Sequence, residues 1–336
     1  MGERLPTERL EARPLSNESV PAWLQLHQAV EHVDDTGEHL DAGDLTEVLA
    51  DPKLDPERDS LGLWDGPHLV AYAVLHTPHG AVDAARFSAD AAVHPDWRRR
   101  GIGTRLVTWL EDRAQVRHAL DGELSKLPGE LLLNGMADQR DLAELAERRG
   151  FTPCRWWFDM KQSLAGSRPE PRPAPEGTRI VPFDASYAEA TRLAHNDAFR
   201  DHWNFTVLDE TDWRTWVIGA GTFQPAMSRL LVAGDEVAAY LLVEESAAET
   251  AATGSRDCHV AYLGTRRAFR GRGAAPALLR DVLGAARDAG YDTVSLTVDT
   301  ANPSGALGFY EDTGFAVERR SVTYARDLAA ARPPAE

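Results

Sequence analysis

The stretch Phe269-Arg270-Gly271-Arg272-Gly273-Ala274-Ala275 decides how the rest of the chain is read. A mostly apolar, strand-like run from Cys258 to Thr265 precedes it, and a helix-patterned run to about Ala289 follows. A strand, a glycine turn with two arginines and a helix make an anion-binding device. Glycine accepts backbone angles that aim successive N–H groups to one side, and it leaves no Cβ in a ligand's way. The helix start adds unpaired N–H groups and the positive end of its dipole. A pyrophosphate suits such a turn. Two other phosphate motifs do not fit. No Gly-Lys-Ser/Thr follows, as a P-loop requires. Pro276 stands where a dinucleotide fingerprint needs a small residue, and Asp292 begins the next strand instead of ending it.

The device occurs twice. Val93 to Gly103 aligns without a gap with Thr265 to Ala275, matching Arg98, Gly101 and Gly103 to Arg270, Gly273 and Ala275. Each copy runs into an apolar-periodic helix and later reaches a Gly-Phe pair, Gly150-Phe151 and Gly314-Phe315. This spacing resembles the acetyl-CoA-binding motif, Gln/Arg-x-x-Gly-x-Gly/Ala, of the GNAT N-acetyltransferase superfamily. Asn302, Ala306, Tyr310 and Gly314-Phe315 resemble the family's next motif, Asn-x-x-x-Ala-x-x-x-Tyr-x-x-x-Gly-Phe.

The resemblance implies an α/β fold of two tandem GNAT-like domains, each a mixed, mostly antiparallel sheet flanked by helices. In each, the fourth and fifth strands splay apart to admit acetyl-CoA. It implies acetyl-CoA as co-substrate, no metal, and a small-molecule amine as acceptor. The expected boundaries are residues 1–163, a proline-rich linker at 164–177, and 178–330. Prolines at alternate linker positions cannot feed a sheet ladder. A chain started near Pro175 is expected to keep CoA binding.

Composition narrows the alternatives. At 336 residues the chain is long enough for two cores, and its net charge of −17 speaks against a nucleic-acid partner. Two cysteines, Cys154 and Cys258, cannot build a disulfide framework or a cysteine-rich zinc site. The histidines His27, His32 and His39 match no helical metal spacing. No apolar run reaches the ~18 residues of a membrane span. These features read as a soluble, cytoplasmic protein, and the tandem resemblance implies a monomer with its two domains packed as a pseudo-dimer.

Acetyl transfer to an amine requires a held cofactor, a neutral amine and a proton for the departing thiolate. In the second half, Arg270, Gly271, Arg272, Gly273, Ala274 and Ala275 are expected to hold the pyrophosphate. The family resemblance adds Leu263 and Thr265 for the acetyl and pantetheine portion, with Asn302 and Ala306 beside the cofactor arm. Tyr310 is the expected acid: a phenol of pKa about 10 keeps its proton at neutral pH. Glu244, Glu245 and His259 are candidate bases. Asp201, His202 and Trp203 follow the first helix of this half, where GNAT proteins commonly build acceptor specificity; a loop pinned by its aromatics fits the same residues. In the first half Arg98, Arg100, Gly101 and Gly103 keep the turn. There Asp138, Leu142 and Ala146 replace the Asn, Ala and Tyr, so no proton donor remains and Leu142 crowds the cofactor arm. This half is expected to be non-catalytic. An acyl-CoA-binding sensor or partner-binding protein is the other reading open to the sequence.

Overall fold

The computed structural model describes residues 10–166, 170–301 and 305–328. Its strands are β1 (Glu11–Arg13), β2 (Ser60–Asp65), β3 (His68–His76), β4 (Ala85–Val93), β5 (Gly129–Met136), β6 (Thr152–Ser163), β7 (Arg179–Pro182), β8 (Arg229–Ala233), β9 (Glu236–Glu244), β10 (Asp257–Thr265), β11 (Thr293–Asp299) and β12 (Ala316–Asp327). The helices are α1 (Val20–Asp34), α2 (Ala42–Leu49), α3 (Pro56–Asp59), α4 (Ile102–Leu120), α5 (Arg140–Arg148), α6 (Ala188–Ala198), α7 (Glu210–Asp212), α8 (Ala247–Thr253), α9 (Ala274–Asp288) and α10 (Ala306–Thr313).

The chain forms two compact units, Met1–Arg155 with Ser321–Glu336, and Trp156–Arg320. These are not the segments expected from the sequence. Residues 157–163 of β6 pair antiparallel with β11 inside the second unit, while residues 321–327 of β12 pair antiparallel with β5 inside the first. Each half of the sequence thus gives its last strand to the other's sheet. The boundary moves because a strand's pairing partner is chosen by the sheet that buries it, not by its neighbours in sequence. By pattern alone Ala316–Glu318 and Ser321–Leu328 read as two strands; they are the single β12.

Within each unit the order repeats. The first runs β1-β2-β3-β4-β5 and then 321–327; the second runs β7-β8-β9-β10-β11 and then 157–163. The third strands, β3 and β9, are buried from their second residue to their eighth, as strands covered on both faces must be. In the first unit α4 packs on one face and α1 with α2 on the other. In the second, α9 and α10 cover one face and α6 the other. A buried tyrosine–histidine pair also recurs: Tyr72 to His27 and Tyr240 to His195, each 2.8 Å apart.

Two polar stretches, which composition alone reads as loops, carry helices. Asp51–Asp59 contains the single turn α3, and Ser246–Arg256 contains α8, capped by the Ser246 hydroxyl accepting from the Glu249 amide. The expected helix Asn302–Thr313 is described from Ala306 onward, after Gly305 at φ +68°. Asn302 lies outside the described residues, as does the tail beyond Ala331.

Candidate active site

The parallel pairing of β10 with β11 covers only Asp257–Val260 against Thr293–Leu296. Beyond Val260 the strands part, so Leu263 and Thr265 pair with β9 on one side and face the opening on the other. The β9–β10 register slips between Val260 and Tyr262, leaving Ala261 as an extra residue without a partner on β9. Such a bulge kinks a strand and leaves backbone groups free of the ladder, here beside the opening.

The glycine turn lies past the end of β10. Gly271 at φ +73° and Gly273 at φ +85° take the left-handed angles, and Gly273 caps α9. A Cβ on Gly271 would meet nothing within 4 Å. Ala274 and Ala275 form the first turn of α9, so its N-terminal amides border this open cradle. Arg270 is turned inward. It donates from Nε to the Thr265 carbonyl (3.3 Å) and from Nη2 to the Ala198 carbonyl (2.7 Å), pinning the turn to β10 and α6. Arg272 lies over the Phe269 ring. Arg172, from the linker, brings Nη2 to 3.5 Å from the position of a Cβ on Gly273.

Tyr310 sits in α10 among Phe309 and Phe315, and burial pushes its phenol up to about 12. Among the described residues, none hydrogen-bonds its hydroxyl. Ala306 opens the same helix and packs against the core. Glu244 ends β9 on the face that carries Tyr240 and Leu242, and burial alone holds its carboxyl above the usual range. Glu244 also helps raise the Tyr262 phenol, which places it near the bulge. Glu245 is a different case. Arg256 and Tyr291 bind its carboxylate and hold its pKa below the usual value, so it serves a structural ion pair. His259 bonds through Nδ1 to Ser295 Oγ (2.9 Å) where β10 and β11 are still paired. Burial lowers its pKa against the pull of Asp257 and Asp159.

The three residues expected at the acceptor separate. Asp201 pairs with Arg267 and Arg270, so it braces the turn. His202 packs at a tilt against Phe199, with ring centroids 4.6 Å apart. Burial lowers the His202 pKa, while Asp299 at the end of β11 opposes the shift. Trp203 meets Trp157 at 6.2 Å between ring centroids. By pattern alone Trp156-Trp157-Phe158 reads as a core or edge strand rather than a stacking platform, and Asp299 is not singled out. The cross-strand pairing of Trp157 with Asp299 depends on the exchanged strand, which no local pattern announces.

The first unit keeps the turn and closes the opening. β4 and β5 pair in parallel only over Ala85–Ala89 with Gly129–Leu133. Gly101 takes φ +84°, and Arg99 holds the left-handed angle of Gly271's counterpart at φ +60°. Arg98 donates to the Val93 carbonyl and, bidentately, to Asp34 (2.6 and 2.8 Å). Arg100 lies over Trp97. Leu142 of α5 packs directly on the bare Cα of Gly135, and Leu145 reaches Gly103. The Phe151 amide bonds to the Ala146 carbonyl (2.9 Å), as the Phe315 amide does to Tyr310's (3.1 Å), so Ala146 is Tyr310's counterpart. Asp138 precedes α5. Among the described residues no cluster of side chains suits a metal ion, and no helix is long and apolar enough to cross a membrane.

Comparisons with known proteins agree with this geometry. The model of the Acetyltransferase (GNAT) family matches residues 22–126 and 188–315, one segment in each half and more than half of the chain together. A mycothiol acetyltransferase of Geodermatophilus obscurus is 33% identical over 173 residues, 49% of this chain and 51% of its own. That of Thermobispora bispora is 30% identical over 272 residues, 79% of this chain and 82% of its own. Among solved structures, a GCN5-related N-acetyltransferase from Sphaerobacter thermophilus superposes at TM-score 0.75 with 25% identity, covering 98% of both chains. A tandem GNAT protein from the clavulanic acid biosynthesis pathway shares the fold at TM-score 0.70 and 17% identity, over 96% of this chain and 100% of its own. With a family match in each half and a splayed sheet in each unit, the chain belongs to the GNAT acetyltransferase family as an N-acetyltransferase with two tandem copies of the fold.

Proposed function

We propose that the second unit transfers an acetyl group from acetyl-CoA to the primary amine of a small molecule, while the first unit is non-catalytic. One contrast carries this reading: α10 carries the Tyr310 phenol in the unit whose β10 edge is bulged, whereas the matching position of α5 is the buried methyl of Ala146. The cradle also suits the co-substrate, because Gly271 and Gly273 leave it clear of side-chain carbon and α9 begins at its edge.

Acetyl-CoA, when bound, supplies a thioester whose carbonyl carbon the amine attacks and whose sulfur departs. The amides of Gly271 to Ala275 hold its pyrophosphate, and the unpaired edge of β10 at Leu263 and Thr265 aligns its arm. Tyr310 donates its phenolic proton to the departing sulfur. With its pKa raised to about 12, the phenol remains protonated throughout the neutral range. Glu244 takes the proton that the amine must lose. An alkylamine of pKa about 10.4 costs ~4–5 kcal/mol to deprotonate at pH 7, and a desolvated carboxylate is a stronger base than an exposed one. The C–N bond forms, the C–S bond breaks, and the two protons return to balance through solvent. Relatives that carry the name mycothiol acetyltransferase make a mycothiol-related amine the first acceptor to try.

The test is Tyr310→Phe, which keeps the ring and its packing. The expected loss is in kcat, on the order of 10²–10⁴-fold, with acetyl-CoA affinity nearly unchanged. Wild-type turnover in that variant, with chemistry rate-limiting, would return Tyr310 to the core.

A further inference from the structure

Four strands of the second unit set register partners in one row on the face of the sheet that Glu244 shares with Tyr240. Glu244 of β9 stands opposite His259 of β10, His259 opposite Ser295 of β11, and Ser295 opposite Lys161 of β6. Side chains at such positions leave the same face with Cβ atoms ~5 Å apart. One residue further on, the β10–β11 ladder ends at Val260 and Leu296, so the row borders the opening. The first unit offers a contrast. His76 ends β3 as Glu244 ends β9, and its row continues with Ser88 and Leu132, with no slip of register between β3 and β4. Arg86 stands there at the place of Asp257. A splayed sheet of this family therefore does not require the set Glu244, His259, Ser295 and Asp257; the set accompanies Tyr310.

The hydrogen bonds of the row have a direction. Asp257 lies two residues before His259 on the same face, and its two carboxylate oxygens accept from the Thr293 and Ser295 hydroxyls. A carboxylate has no proton to give, so the Ser295 proton points at Asp257. Ser295 Oγ is then the acceptor for His259 Nδ1, 2.9 Å away. Nδ1 thus carries the ring proton of the neutral imidazole, and Nε2 keeps a lone pair. Burial lowers the His259 pKa, with Asp257 and Asp159 opposing the shift and Lys161 adding to it. Lys161 is itself held by Glu318 (3.3 Å) and Glu249 (3.8 Å). Among the described residues, no hydrogen bond occupies His259 Nε2 or the Glu244 carboxyl.

We infer that Asp257 and Ser295 are positioning residues: they hold His259 with a bare Nε2 beside Glu244, and His259 relays the amine's proton away from that carboxyl. This rests on the acetyl-transfer reading, in which Glu244 takes the proton that the amine must lose. A half-buried carboxyl must give its proton up before the next cycle, and the neighbouring lone pair supplies the route. The O–H bond of the Glu244 carboxyl breaks, an N–H bond forms at Nε2, and the imidazolium then releases that proton to solvent. While it is charged, the ring faces Asp257 through Ser295, and the chain of hydrogen bonds spreads the charge.

The test is NMR of full-length protein carrying nitrogen-15 in its histidine rings, with the His259 signals identified by their loss in His259→Gln. Ring nitrogen shifts and couplings tell an Nδ1–H imidazole from an Nε2–H one. The wild type should show Nδ1–H at neutral pH. Ser295→Ala should turn the ring to Nε2–H or to a mixture, while Ser295→Thr, which restores a hydroxyl, should keep Nδ1–H. Followed against pH, the wild-type ring should report two steps, its own and one from Glu244, and Glu244→Gln should leave one. In acetyl transfer to a mycothiol-related amine, Ser295→Ala should lower kcat roughly tenfold, less than the loss of a general base, with the KM for acetyl-CoA unchanged. Ser295→Thr should recover most of that loss. Nε2–H in the wild type, or Nδ1–H that persists undiminished in Ser295→Ala, overturns the positioning chain. A single step in the wild type, unaltered in Glu244→Gln, overturns the relay, as does full turnover in Ser295→Ala. A wild type that leaves the amine unacetylated counts against the acetyl-transfer reading, while the tautomer and the two steps still decide the chain.

Discussion

In the first unit, Arg99 of the glycine turn reaches across to Asp141 (2.7 Å) and Glu144 (3.6 Å) of α5, and Leu142 of the same helix lies on Gly135. In the second, the corresponding helix presents Ala306 and Tyr310, and the turn carries Gly271 where the first has Arg99. The backbone is alike in both: each turn adopts two left-handed residues before a helix, and each parallel strand pair parts after a short ladder. Turn and split are therefore properties of the fold, independent of the residues that the two helices carry. What separates the units is the helix before the Gly-Phe pair: α5 sets Leu142 on Gly135 and carries Ala146, whereas α10 carries Ala306 and Tyr310. Holding a non-glycine residue at φ +60° costs ~1–2 kcal/mol, and in the first unit the Arg99 ion pairs offset some of it.

The most severe way to break the comparison is to separate the halves where the sequence suggests. A chain beginning at residue 175 loses strand 157–163, the whole antiparallel ladder on one edge of β11 and the buried Met160. It leaves an apolar strand edge exposed. Such a chain should fail to fold, as read by circular dichroism and calorimetric CoA binding, while a 156–320 chain should fold and bind. Native CoA affinity in the shorter chain would make the exchanged strand dispensable. This reverses the expectation drawn from the linker's composition.

Next in size is the base. Glu244 must be ionised to accept a proton, and its pKa is raised, so activity should rise with pH through a limb placed above the ordinary glutamate value of 4.5. Below that limb the carboxyl is protonated and activity is lost. Glu244→Gln should remove the limb and lower kcat on the order of 10²-fold at neutral pH. A variant that keeps both the limb and the rate would shift the role to another group, with His202 the first to examine.

The two glycine turns give a direct contrast. Gly273→Glu places a carboxylate against the pyrophosphate site and should weaken CoA by about 100-fold, the several kcal/mol of a like-charge juxtaposition. Gly273→Ala shares the backbone strain at φ +85° without the charge, which isolates the electrostatic part. The matching Gly101→Glu should leave calorimetric CoA affinity unchanged. Equal losses at both positions would mean that the first unit also binds.

Much of this was legible because it is encoded locally. The turn announces itself through glycines at fixed spacing, and β3 and β9 through unbroken apolar runs. Ala146 could be matched to Tyr310 by counting from a Gly-Phe pair, and the amides of Phe151 and Phe315 bear out that count. The exchange of β6 and β12 was not legible, because any alternating strand can complete either sheet and only three-dimensional register decides. Helix α8 was missed despite a visible signal, Ser246 three residues before Glu249 ahead of an alanine-rich run. Asp201 was read as an acceptor group from its place after the first helix of this half, and only its distances to Arg267 and Arg270 reveal a brace.

The smallest expected effect concerns a residue of the linker. Arg172 approaches Gly273 from a segment whose Ala174 packs against the second unit's core, so its position is partly fixed. Among the described residues no carboxylate pairs with it, whereas Arg99 of the first unit is held by two. A guanidinium beside the phosphate cradle adds attraction for an anionic co-substrate without touching the reacting atoms. Arg172 is exposed, so the gain is that of a surface pair, under ~1 kcal/mol, or about threefold in affinity at low salt. Arg172→Ala should therefore raise the KM for acetyl-CoA about threefold with kcat unchanged, and the difference should fade as salt shortens the range of the interaction. Arg172→Lys should keep most of the effect, since charge near a phosphate matters more here than a bidentate fit. An acetyl-CoA KM that does not move in Arg172→Ala at low salt would leave the linker as a tether alone, and the cradle's attraction would then come from backbone amides and the start of α9.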